Sequence, residues 1–112
     1  MSRVFVWKRQ PGMDFSGASE FGELVVIHEA MQQRVNQYSG QEMGKFLDVF
    51  LREVDFQPAV DFILLAGPNI AVAQLFAFVL INYEAVNFLN YNALESKYVE
   101  TPYRYKDYDQ NT

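Results

Sequence analysis

Cysteine is absent from the 112 residues, and that absence excludes disulfides, zinc–cysteine and iron–sulfur centres, and thiol catalysis. Histidine occurs once, as His28. A metal site would therefore rest on one imidazole and scattered carboxylates, and neither the H-E-x-x-H nor the calcium-loop spacing occurs. Glycine numbers 6, yet no two of them form the G-x-G-x-x-G pattern or a P-loop with its Lys-Ser/Thr ending. Basic side chains are also in short supply, 9 against 14 acidic ones, for a formal net charge of -5. Such a balance favours solubility and argues against general binding to nucleic-acid phosphates. No cofactor or metal is expected. The amino-terminal M-S-R-V-F-V-W has a charge but no long apolar run and no small-residue cleavage site, so it is expected to form a strand and not a signal peptide, with a cytoplasmic location.

What the sequence does have is apolar residues, which make up 50% of it. Its length suits one domain with a real core. The centre of the pattern lies over residues 60–91. Phe62-Ile63-Leu64-Leu65 is a continuous apolar run, as in a strand covered on both faces. Gly67 permits a turn and Pro68 suits the first helical position. From Ile70 to Ile81 the only polar side chain is Gln74, and Val86 to Tyr91 resumes a strand pattern. The spacing predicts a right-handed Rossmann-like βαβ core.

A crossover helix ordinarily buries one stripe on the sheet and shows the other to water. Here Val72, Leu75, Phe76, Phe78 and Val79 surround the cylinder with no wet face, so a second copy or another protein is expected to cover it, the alternative being that a neighbouring helix and the aromatic tail of the same chain do so. Phe62 to Tyr83 carries no charge. Even so, Gly67-Pro68-Asn69 interrupts it, and the helical part is about 24 Å long against a bilayer core of roughly 30 Å, so no membrane span is expected.

The remaining elements follow in order. Val4 to Trp7 reads as a first strand. Asp14 or Ser16 is placed to cap a short helix closed near Gly22. Glu23 to Ile27 reads as a second strand ending at His28-Glu29, with its pairing to the first left open between parallel and antiparallel. Ala30 to Ser39 reads as a loop with a helical turn. Gln41 to Val54 is amphipathic, with Met43, Phe46, Leu47, Phe50, Leu51 and Val54 on one side and Lys45, Asp48, Arg52 and Glu53 on the other. Asn92 to Ser96 is a turn, and Lys97 to Glu100 a short edge strand guarded by charges. A single α/β domain over residues 1–102 is expected, with a mostly parallel sheet of four or five strands. Residues 103–112 form a partly disordered aromatic and charged tail.

Parallel strands would collect Lys8, Arg9, His28, Gly67, Pro68 and Asn69 on one sheet edge, where open α/β sheets bind ligands at the point of strand-order reversal. A small anion or nucleotide is the guest that such an edge suits. The segment Tyr103-Arg104-Tyr105-Lys106 has the look of an aromatic–basic nucleic-acid contact, opposed by Asp107 and Asp109. The principal expectation is a non-enzymatic structural, regulatory or adaptor protein that forms a homo-oligomer or binds another protein. Binding of a small anion or nucleotide in the crevice, with an enzyme among its forms, is the second reading, and nucleic-acid binding through a local basic patch the third.

Overall fold

Val4, Phe5 and Val6 are fully buried, as expected of a strand with neighbours on both sides and layers on both faces. In the computed structural model, which describes residues 2–12, 14–31 and 34–108 (107 and 108 by backbone only), β1 spans Arg3–Val6. It pairs in parallel with β2, Glu23–Val26, on one side and with β3, Phe62–Leu64, on the other. β4, Ala85–Asn92, lies parallel to β3, and β5, Lys97–Arg104, is antiparallel to β4. The order is β2-β1-β3-β4-β5. The result is an α/β fold on a five-stranded mixed sheet in which only the β4–β5 pair departs from parallel.

Strand alternation sends side chains to two cores. Phe5, Trp7, Ile63, Val86 and Phe88 face the helices. These are α2, Gly40–Glu53, and α3, Asn69–Tyr83. Val4, Val6, Val26, Leu64 and Leu89 face the opposite way, where Phe15 and Ala18 of the 3-10 segment Ser16–Glu20 and Tyr98 of β5 meet them. The α2 start is set by Ser39, whose hydroxyl accepts from the Glu42 N–H at 3.2 Å, a helix N-cap. Neither of the two caps expected for the earlier segment serves as such: its N-cap is Phe15, with no side-chain cap bond, and the Asp14 Oδ1 accepts from the Ser16 N–H at 2.9 Å in the turn that leads into it.

Several boundaries differ from the sequence reading. β2 stops at Val26, and Ile27 opens a four-residue helix, α1, Ile27–Ala30. The His28 N–H donates to the Trp7 carbonyl at 2.8 Å, which draws the chain over the end of β1 and drives Ile27 wholly into the core. The expected helical turn in 30–39 thus falls earlier; residues 34–39 are loop and turn, while 32 and 33 lie outside the described residues. Pro68 is the N-cap of α3, with ψ at 135°, and not its first helical residue. Its carbonyl accepts the Val72 N–H at 3.0 Å. β5 runs past Glu100 to Arg104 because β4 offers it a partner at every position. Residues 105–108 form a 3-10 turn tied by the Tyr105 N–H to the Glu84 carbonyl at 2.9 Å. The last four residues of the expected tail lie outside the described residues.

Candidate functional site

The helix α3 is reached through Gly67, whose φ of +135° is hard for any side chain to adopt and whose Cα side faces Trp7 at 3.4 Å from an ideal Cβ. Beyond it, Ala71, Leu75 and Val79 recur at four-residue spacing and are buried against the sheet. That spacing fixes the phase of the helix. Two of the residues expected at an interface, Leu75 and Val79, therefore belong to the chain's own core. Val72, Phe76 and Phe78 are half-buried on its flanks.

The outward arc consists of Ile70, Ala73, Ala77 and Ile81, with Leu80 half-buried beside them. Ile70 is 37% exposed and Ile81 65%. No acidic residue lies in the first turn of α3 and no basic residue in the last, so neither end of the helix dipole is matched by a side chain of the helix itself. The helix closes at Glu84, which is exposed and left-handed at φ 63°. On the α2 side the Gln74 amide donates to the Gln37 carbonyl, so the one polar side chain between Ile70 and Ile81 is used within the chain.

The other flank of α3 opens into an apolar groove of about 600 Å³. Val72, Phe76 and Leu80 form one wall, and Phe88 and Tyr103 the other. Phe76 lies against Phe88 with ring centroids 4.6 Å apart, and Tyr103 meets Phe88 edge-on at 5.1 Å. The sheet continues under this groove as β5, whose outer edge carries Lys97, Glu100, Pro102 and Arg104. Charges and a proline on an edge strand oppose strand-to-strand pairing with another chain. Sequence reasoning named the helix but not which of its side chains face out, Ile70, Ala73, Ala77 and Ile81. An apolar helix has no polar residues to reveal which side faces out, and the wall at Tyr103 depends on a pairing between distant positions.

Of the six residues expected at the strand-end crevice, five are divided between two surfaces and Arg9 lines neither. Lys8, His28 and Pro68 line a cavity of about 950 Å³ together with Trp7, Arg34 and Tyr38, near the reversal of strand order between β1 and β3. Gly67 and Asn69 line the apolar groove instead. Arg9 is held by Glu29, Nε to Oε2 at 2.7 Å. Both are more than half exposed, so the pair contributes little to stability. The His28 ring meets Trp7 edge-on at 6.3 Å. Burial, assisted by Asp14 and Tyr91, raises the Tyr98 phenol above its ordinary range, and burial chiefly does the same for Tyr83. Among the described residues no group of three or more His, Asp or Glu could hold a metal, and no helix is long and apolar enough to cross a membrane.

A comparison with protein families matches residues 2–105 to the family described as Phage Pam3 gp32-like protein. No curated protein and no solved structure matches the chain.

Proposed function

The chain belongs to the Phage Pam3 gp32-like protein family, and we propose that it works without catalysis, as a small structural, regulatory or adaptor protein that self-associates through the outer face of α3. The observation that carries this reading is the solvent-facing arc Ile70, Ala73, Ala77 and Ile81 on a helix with no charge from Asn69 to Tyr83. An uncharged outer face on a surface helix marks a contact surface, because water gains nothing from it and a partner removes apolar area from water. The guarded edge of β5 opposes strand addition on the side of the sheet next to α3's groove. Anion binding at the strand-end cavity has less support, since its expected residues are split and Arg9 is already paired.

Native mass spectrometry tests the reading. The expected result is a multiple of 13.0 kDa, returned to the single-chain mass by Ala77→Glu with the far-ultraviolet circular dichroism unchanged. Ala77 is exposed, so a carboxylate there leaves the chain's own packing intact. A single-chain mass for the unaltered protein at micromolar concentration would sink the proposal.

A further inference from the structure

The self-association just proposed leaves the direction of pairing open, and the charges around α3 bear on it. We infer that two copies join by an antiparallel, two-fold pairing of α3 with α3, centred between Leu75 and Phe76, with each Glu84 set beside the amino-terminal end of the other copy's helix. This inference rests on the self-association reading and adds the identity of the partner surface and its register.

Charge complementarity carries it. The α3 amino terminus has no acidic residue to match its partial positive charge, while a full negative charge, exposed Glu84, stands at the other end. Glu84 is in no ion pair among the described residues. Within one chain that carboxylate sits where the helix dipole repels it. Antiparallel pairing about the stated centre brings it to Gly67–Asn69 of the partner, the end where an anion is stabilised. Parallel pairing would instead place two Glu84 carboxylates together and align both dipoles unfavourably.

The apolar positions have their midpoint at Leu75, about half a residue from the same axis. Ile70, Ala73, Ala77 and Leu80 follow three-four-three spacing, the interval at which two helices keep one seam in contact. The axis pairs Ile70 and its partner's Ile81 at each end. It also sets Ala73 and Ala77 near the middle, where short side chains let the backbones approach.

Area shows how far the contact must extend. A helix of this length presents a strip of about 22 by 10 Å, roughly 200 Å², against about 800 Å² per partner in a stable interface. The pairing must therefore take in the adjoining groove walled by Val72, Phe76, Phe88 and Tyr103. Ala73 lines that groove as well as the seam, so the two surfaces are continuous.

The absence of cysteine makes the arrangement directly testable. Ile70→Cys, Ile81→Cys and the double variant are oxidised at micromolar concentration, and covalent products are read by non-reducing electrophoresis, with the mass of each reduced protein measured in parallel. Within one helix the two positions are about 16 Å apart along the axis, too far for an internal disulfide. The expected result is a reduced dimer for all three, with a covalent dimer at least tenfold more abundant for the double variant than for either single one. A covalent dimer from Ile70→Cys alone would overturn the antiparallel arrangement while keeping self-association. Reduced dimers with no covalent product from any variant would remove α3 as the interface. A single-chain mass for the unaltered protein would overturn both readings.

Discussion

Asp61 is fully buried and accepts from four donors: the Arg3 N–H at 3.0 Å, the Arg3 Nε at 3.4 Å and Nη2 at 3.0 Å, and the Gln57 N–H at 2.7 Å. The Arg3 guanidinium goes on to the carbonyls of Val54 and Asp55, so one ion pair joins the start of β1, the end of α2 and the approach to β3. Removing one partner of such a pair leaves the other charge without its counter-ion in a partly dry place. Asp61→Ala is expected to destabilise the fold by roughly 3 kcal/mol, the low end of the range because the Arg3 side chain remains 26% exposed. Urea denaturation at a fixed protein concentration checks it, and a loss below about 1 kcal/mol, typical of an ordinary hydrogen bond, would show that the charge is not what matters. Nothing in the local sequence announced the role, since Asp61 reads there as the residue before a strand. Its partner lies 58 positions earlier in the chain, and parallel pairing of β1 with β3 brings them together. Gly22 is similar: a Cβ there would stand 2.4 Å from the Ser2 carbonyl oxygen, a close approach that no turn signal around it reveals.

At the scale of elements, the α2 and β3-α3-β4 segments were legible because each carries its own periodicity or punctuation. α2 has a polar side and an apolar side, and the structure runs it over Gly40–Glu53. The βαβ unit has an apolar run, a Gly-Pro turn and a second apolar run, which became β3, α3 and β4. What could not be read was the rotation of α3 about its axis, because an all-apolar helix lacks the polar side that would orient it. The buried triplet Ala71, Leu75 and Val79 settles that rotation, and it separates two kinds of substitution. Leu75→Ala is expected to cost about 2–5 kcal/mol of folding stability through the cavity it leaves, whereas Ala77→Glu, on the outer side, is expected to change assembly and leave the fold intact. Thermal unfolding of the two variants, compared at one concentration, distinguishes them. Equal losses of stability would mean that the outer side is packed within the chain after all. The end of β2 was misjudged for a different reason: Ile27 suits a strand by composition, but the hydrogen bond from His28 to the Trp7 carbonyl is a contact between elements.

For the molecule as a whole, charge and assembly pull in opposite directions. Each copy carries a formal net charge of -5, so two copies repel one another at long range, while the proposed contact between them is uncharged along the helix. Salt therefore acts mainly on the repulsion. Raising the ionic strength from about 0.01 M to about 0.15 M shortens the screening length from roughly 30 to 8 Å, and the dimer is expected to tighten severalfold. Analytical ultracentrifugation at the two salt concentrations measures this, and a dimer that loosens in salt would show that the attraction between Glu84 and the partner's helix amino terminus outweighs the repulsion between the two net charges.

The sequence by itself determined the α/β class, the order of most elements and the presence of a helix too apolar for a surface layer. Those properties follow from local composition and periodicity, which act on neighbouring residues whatever the rest of the chain does. Tertiary structure alone decided the parallel pairing of β1 and β2, the meeting of Lys8 and His28 with Pro68 at one cavity, the Arg3–Asp61 tie and the side of α3 that meets water. Each of these depends on the distance between residues far apart in the chain, and that distance is set by strand order and helix rotation, which local preferences leave free.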